Sequence, residues 1–218
     1  LADSNTVDHP AGLAVDRGGA VYIGDTGNHA VWKWQNGFLA KYAVAQSPTG
    51  LAMDASGKLW IADPGQAAGT LLARDVTVAP NGTLYTTDGR LIRRMLAGTT
   101  SVIGGLGDRA RGDGGPALEA RLNNPSGLAL DAQGNLFIAD RDNHRIRKVD
   151  ERGTLTTIAG TGLPGSDGDN GPAITASLNA PTTLRFDAEG NLYVLDSGNK
   201  RFRRISSDGR ITAARSLP

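Results

Sequence analysis

With 218 residues, 39% of them hydrophobic, the chain is long enough to bury a core, and its thirty Gly and ten Pro residues indicate a turn-rich β protein. The absence of Cys excludes disulfides, thiolate metal sites and a Cys nucleophile. The formal net charge of +1 and the pI near 8.3 are modest for a nucleic-acid-binding protein.

The predicted elements are short apolar runs bounded by Gly, Asn and Asp turns, and they recur along the chain as one repeated unit. A unit opens with Pro-x-Gly and a first run that ends in Asp, then turns into a second run that also ends in Asp. Two further runs follow, which predicts a four-stranded antiparallel meander. The units span about 10–44, 48–75, 76–104, 125–160 and 181–215.

The last two units are the most regular, because adding 56 to a position in one gives its counterpart in the other. The unit at 48–75 is too short for a third and fourth strand, and residues absent near 64–71 explain this better than a half-blade, which would leave strand edges unpaired. Repeats of this length and strand content are typical of a β-propeller.

Two tripeptides, Asn28-His29-Ala30 and Asn143-His144-Arg145, resemble the motif that names the NHL repeats. The spacers at 112–123 and 168–179 are similar to the inter-blade inserts of teneurin-type and bacterial secreted NHL propellers. The resemblance implies an all-β propeller of five to six four-stranded blades, one of them truncated or partly missing, in a single domain over 1–218. Each insert holds a Pro followed by Ala and Leu, which predicts a short helical turn.

If every first strand starts at the same face, the inserts and the turns after the second strands share that face, and we expect a binding surface there. The residues predicted to form it are Arg109, Arg111, Asp113, Arg141, Asn143, His144, Asp167, Asp169 and Asn170.

The aspartates that close the second strands obey the repeat, whereas a catalytic residue breaks it, so we predict a structural role in the turns. These second-strand aspartates are Asp25, Asp63, Asp88, Asp140 and Asp196. No metal ligand, cofactor or catalytic residue is predicted. The resemblance to propeller lyases and lactonases would place a metal at the mouth of the first strands, where this chain has Ala11-Gly12, Thr49-Gly50, Ser126-Gly127 and Thr182-Thr183.

These patterns favour a non-catalytic protein-interaction or scaffolding propeller, part of a larger secreted or cell-surface protein, extracellular or periplasmic and bacterial. Its partner would be another protein or flanking domains of the same polypeptide. One alternative is a metal-assisted lactonase or lyase acting at the central channel. A second alternative is RNA binding through the Arg-rich third strands, although we expect those strands to be solvated outer strands. We also expect the segment from Leu1 to Val7 to lie beside the last blade and bring the termini together.

Overall fold

In four repeats, the first strand is followed by an aspartate whose side chain accepts hydrogen bonds from the amides of the next turn. A computed structural model describes residues 6–65, 67–107 and 112–214. In the first turn, Asp16 Oδ1 accepts hydrogen bonds from the amides of Gly18, at 2.9 Å, and Ala20, at 3.0 Å. Gly19 between them has φ +81°, a conformation that costs glycine little. This turn chemistry recurs after the first strand of later repeats, at Asp54, Asp131 and Asp187.

The chain divides between Asp88 and Gly89 into two compact units. In the first unit, β1 to β4 form an antiparallel meander in chain order, β5 pairs with β6, and β7 pairs with β8. The bounds are β1 (Pro10–Val15), β2 (Val21–Asp25), β3 (Ala30–Gln35), β4 (Phe38–Val44), β5 (Gly50–Met53), β6 (Leu59–Ala62), β7 (Asp75–Val78) and β8 (Leu84–Thr87). Its core joins the first two sheets, since Tyr22 and Val31 pack with Leu51 and Ile61.

The second unit contains the 56-residue pair of repeats. Its strands are β9 (Ile92–Leu96), β10 (Thr99–Gly104), β11 (Pro125–Leu130), β12 (Leu136–Asp140), β13 (Arg145–Val149), β14 (Leu155–Ala159), β15 (Gly171–Pro172), β16 (Pro181–Phe186), β17 (Leu192–Asp196), β18 (Arg201–Ile205) and β19 (Arg210–Ala213). The order β11-β12-β13-β14 makes one sheet and β15-β19-β18-β17-β16 makes the next. Ala129 and Phe137 of the former pack with Leu184 and Val194 of the latter.

The blade count differs from the prediction. Across the described residues, four sheets have four or five strands and a fifth has two, so the all-β fold with four-stranded propeller blades is confirmed, but a count of five to six such blades is wrong. The predicted blade at 76–104 contributes four strands, β7 to β10. The unit at 48–75 contributes only the hairpin β5–β6.

The short second repeat satisfies its strand edge without a full third strand. The Leu71 amide donates to the Ile61 carbonyl at 2.7 Å, and the Asp63 amide donates to the Leu71 carbonyl at 2.8 Å. Leu71 thereby forms a parallel bridge with Ala62. A single residue occupies the position beside β6 that a third strand takes in the other repeats.

Both inserts run along the outer edge of the blade that follows them. In the first, the Gly114 amide donates to the Leu155 carbonyl at 2.8 Å, and in the second β15 pairs with β19. Each also contains the predicted helical turn, as a single 3-10 turn at Ala117–Glu119 and at Ala173–Thr175. Because an uncovered edge strand can pair with other chains, these contacts protect β14 and β19.

Some predictions concern residues outside this description. Leu1 and Pro218 are among them, so the expected closeness of the termini stays a prediction, as does the single domain over 1–218. No helix of the described residues is long and apolar enough to cross a membrane.

Candidate functional site

The second-strand aspartates bind the chain segment that leads into their own repeat. Asp140 Oδ1 accepts from the Asn123 amide at 2.8 Å, and Asp196 Oδ1 accepts from the Asn179 amide at 2.7 Å. Asp25 and Asp63 make the same contact with amides 17 residues upstream, those of Asp8 and Gln46. The half-buried Asp88 follows β8 at the equivalent place. These contacts support the predicted structural role and extend it beyond the local turn.

Burial and hydrogen bonding compete at these carboxylates. Burial raises the pKa of Asp140 from its ordinary value, although hydrogen bonds from the Asn123 amide and the Asn143 side chain and the charge of Arg147 oppose the rise. At Asp63, burial acts in the same direction, but hydrogen bonds from four backbone amides, those of Gln46, Ser47, Ala67 and Gly65, together outweigh it and the pKa is lowered.

Two arginines of the third strands are fully buried. The Arg147 side chain is 0% exposed and lies between two carboxylates, with Nη1 3.2 Å from Asp140 Oδ2 and Nη2 3.0 Å from Asp113 Oδ1. Arg203 is equally buried, with Nε 2.9 Å from Asp169 Oδ1. The prediction of solvated third strands is therefore wrong for these two residues, because the insert supplies each buried guanidinium with a second carboxylate.

In the first blade, a neutral side chain donates the hydrogen bond to the buried second-strand aspartate. Trp32 follows Asp25 by seven residues, as Arg147 follows Asp140, and its indole Nε1 donates to Asp25 Oδ2 at 2.8 Å. The second-strand aspartate is therefore paired with an arginine in the two 56-residue repeats and with a tryptophan in the first blade.

Most described members of the predicted binding face make internal contacts. Asp113 and Asp169 pair with the buried arginines. The Asn143 side chain donates through Nδ2 to Asp140 and to the Arg121 carbonyl. Asn170 is exposed, and its backbone amide donates to the Ile211 carbonyl.

The remaining members of the predicted binding face are partly or fully exposed, or lie outside the described residues. Arg141 lies 3.7 Å from Asp142 in a partly exposed ion pair, and Asp167 is exposed. Arg109 and Arg111 lie outside the described residues. Whether this face binds a partner stays a prediction.

The two motif histidines also contact the linkers between repeats. His144 Nδ1 accepts a hydrogen bond from the Ala180 amide at 3.1 Å, and His29 Nδ1 lies against the Gln46 carbonyl. Both adopt the left-handed backbone conformation, with φ +53°. Within the part of the chain that the structure describes, no three His, Asp or Glu side chains are grouped to hold a metal ion.

A cleft of about 580 Å³ lies between the two full sheets of the second unit, on the side of the Asp131 and Asp187 turns. Phe137 and Phe186 line it and make an edge-to-face contact with ring centroids 5.0 Å apart. Leu192, Ile205 and Ile158 add to its apolar lining. Aromatic and aliphatic lining of this kind provides most of the contact area in binding clefts.

The polar rim of the cleft is mainly acidic. Asp131, Asp187 and Glu189 line it, and Lys148 is the one basic residue among the described residues that line it. The Asn191 side chain donates to Asp187 at 2.8 Å and lowers the pKa of that carboxyl, so Asp187 remains charged well below neutral pH. Lys148 Nζ stands 5.8 Å from the Phe137 ring centroid.

The sequence did not predict this cleft, because the binding surface was expected at the inserts and the turns beside them. The available signal was Phe186, a large aromatic residue at the end of a first strand directly before the Asp187 turn. The offset of 56 also relates Asp113 to Asp169 and Arg147 to Arg203, which could have indicated both ion pairs.

Comparisons with known proteins agree with this architecture. The teneurin NHL domain family matches residues 95–167, and the NHL repeat family matches residues 8–34. Teneurin-1 of Gallus gallus is 38% identical over 129 residues, which is 53% of this chain and 5% of that protein. The chain therefore spans only a small part of the length of the curated relatives it matches.

Solved structures share the fold at low sequence identity. A chain of a nidogen/laminin complex has a TM-score of 0.68 and 18% identity, over 94% of this chain and 84% of that one. Virginiamycin B lyase from Staphylococcus aureus has a TM-score of 0.65 and 18% identity, over 98% of this chain and 72% of the lyase. At this identity the likeness shows the fold alone.

Proposed function

We propose that this chain, whose residues 8–34 match the NHL repeat family and whose residues 95–167 match the teneurin NHL domain family, is a non-catalytic protein-interaction propeller within a larger secreted or cell-surface protein. The cleft of the second unit is the observation that carries this proposal. One fold neighbour belongs to an assembly of two proteins, nidogen and laminin, so the fold is compatible with an interaction role. The extracellular location follows the teneurin resemblance.

The cleft fits a peptide segment that combines a basic and an apolar side chain. Phe137 and Phe186 offer an apolar wall to a leucine or an aromatic ring. The carboxylates of Asp187 and Glu189 attract a lysine or arginine, and they lie at turns, where a partner can reach them. Such a contact would weaken as salt is added, because part of it is electrostatic.

A selection of random peptides displayed on phage tests this chemistry. We expect the selected peptides to be enriched in Arg or Lys beside Leu or Phe, and to bind the variant Glu189→Lys at least about tenfold more weakly. The matched control is Glu151→Lys, a change in an exposed turn of the neighbouring repeat that does not line the cleft. Acidic selected peptides, or equal binding to both variants, would contradict the proposal.

The enzymatic alternative draws only on fold likeness. Of the four first-strand positions that would hold a metal, Ser126 and Thr182 make hydrogen bonds to neighbouring protein groups instead. If elemental analysis found a metal, and residues of two or more first strands bound it, the lyase or lactonase hypothesis would be favoured. The RNA alternative loses two of its basic residues, since Arg147 and Arg203 are buried.

A further inference from the structure

A basic residue occupies the same place in the third strand of three repeats. Lys33, Lys148 and Arg204 each follow the second-strand aspartate of their own repeat by eight residues. Each is paired across the sheet with an aromatic residue, which is Tyr22, Phe137 or Tyr193 respectively. The position therefore obeys the repeat, and a difference in the contacts of one member points to a separate role for that residue.

Two of the three cations bind the turn between the first and second strands of their own repeat. Lys33 Nζ lies 4.0 Å from Asp16 Oδ2 in the first blade. Arg204 Nη2 donates to Asn191 Oδ1 at 3.0 Å in the last blade. In both repeats the positive charge is thus used inside the blade.

Lys148 makes no such contact. Among the residues that the structure describes, its Nζ has no hydrogen bond or ion pair, and its one electrostatic contact is with the Phe137 ring. The turn of its repeat is complete without it, because Asp131 accepts from the Asn135 amide at 2.8 Å and from the Asn135 side chain at 2.7 Å. The charge of Lys148 is therefore available to a ligand.

The cleft determines which anion can reach this lysine. Lys148 is half-buried and lines the cleft together with Phe137 and Phe186. An ammonium group partly shielded from water attracts an anion more strongly than one in bulk solvent. A phosphate carries close to two negative charges and would be repelled by the three carboxylates of the rim, so a single carboxylate fits better.

We propose that Lys148 binds a carboxylate of the peptide that occupies the cleft. The ligand then carries a cation for Asp187 and Glu189, an apolar side chain for the two phenylalanines and one anion for Lys148. This role rests on the proposed function, because it adds a third contact to the same ligand. The carboxylate belongs to an acidic side chain or to the C-terminus of the peptide, and both present the same chemistry to an ammonium group. Lys148 thereby selects among peptides that are basic and apolar.

Two matched pairs of synthetic peptides test this role. The first pair is acetyl-Arg-Leu-Phe as the free acid and as the C-terminal amide. The second pair is acetyl-Arg-Leu-Phe-Glu-amide and acetyl-Arg-Leu-Phe-Gln-amide. NMR titration of the 218-residue chain, followed at the amides of 131–135 and 187–191, measures each dissociation constant. We expect the charged member of at least one pair to bind about three- to fivefold more tightly than its neutral partner, and that pair identifies the source of the carboxylate.

Variants of Lys148 assign the difference to its charge. Lys148→Met keeps an unbranched side chain beside Phe137 without the ammonium group, and we expect it to abolish the preference for the charged peptide. Lys148→Arg should retain the preference. The matched control is Lys41→Met, a change at an exposed position of β4 that does not line the cleft, and it should also retain the preference.

The outcomes separate this role from the proposed function. Equal or weaker binding of the charged members in both pairs, or a preference that survives Lys148→Met, would overturn the role of Lys148. The proposed function would still hold if Glu189→Lys weakened the binding of the same peptides. Failure of all four peptides to bind would contradict both the proposed function and the role of Lys148.

Discussion

At the residue scale, the two buried arginines pair with aspartates of both the repeats and the inserts. A guanidinium removed from water is stable only when carboxylates and carbonyls surround it. Arg147 has Asp140 and Asp113, and Arg203 has Asp169 as well as the Ser177 carbonyl. The two guanidinium groups lie in the interior of the blade and are not available to a partner, whereas the Asp113 side chain is 43% exposed.

Neutralising Asp140 should therefore destabilise the fold strongly. The variant Asp140→Asn retains an oxygen that can accept from the Asn123 amide but leaves Arg147 short of one negative charge. We expect a loss of about 3–5 kcal/mol in the free energy of unfolding, measured by urea denaturation, against less than about 0.5 kcal/mol for the exposed control Asp142→Asn. The double variant Asp140→Asn with Arg147→Met should recover part of the loss. An additive double variant would show that charge pairing is not the cause.

A pH titration tests the turns at the same scale. The Ser56 hydroxyl and the Trp60 indole donate to Asp54 and lower the pKa of its carboxyl to about 2. A carboxyl whose pKa is lowered by folding stabilises the fold above its unfolded value of 3.8, and this contribution is lost as the pH falls toward 2. Carboxyl-carbon NMR should show the low pKa, and Ser56→Ala should raise it. Titration of wild-type Asp54 near 3.8 would contradict the turn chemistry.

The sequence predicted which aspartates recur but not what they bind. Their spacing indicated turns, and the turn bonds of Asp16 and Asp54 follow from local sequence. The partner of Arg147 is 34 residues away in an insert, and strand alternation alone does not reveal such a contact. Arg147 was therefore expected in solvent.

At the element scale, the inserts act as edge strands and spacers between blades. The sequence predicted their helical turns from Pro, Ala and Leu, and these are present. It did not predict the pairing of β15 with β19, because two residues, Gly171 and Pro172, are too short to show any periodicity.

Close packing of the second insert makes Gly168 sensitive to substitution. A Cβ at Gly168 would lie 2.6 Å from Ala176 Cα, and the residue has φ +92°. The control Gly134→Ala has a similar φ of +83° with nothing within 4 Å, so it reports the backbone strain alone, about 1–2 kcal/mol. We expect Gly168→Ala to cost about 1–3 kcal/mol more than the control in thermal or urea unfolding. Equal losses would mean that the insert is free to move away.

At the scale of the whole molecule, the repeat count was the hardest feature to predict. Repeat spacing identified the short unit at 48–75, but it could not show that Leu71 would complete the edge of β6 with two hydrogen bonds. The sequence favoured residues absent near 64–71 over a half-blade, because a half-blade leaves a strand edge unpaired, and in the structure Leu71 pairs with that edge. Four sheets with at least four strands are described instead of five or six.

Hydrogen–deuterium exchange with the tightest phage-selected peptide tests the binding proposal most directly. The account predicts slower exchange on peptide addition in the turns around the cleft, at 131–135, 187–191 and 206–209. Protection should be absent from the Glu189→Lys variant and retained in Glu151→Lys. Slower exchange confined to 141–144 and 167–170 would place binding on the insert-bearing face and contradict the cleft as the interaction site.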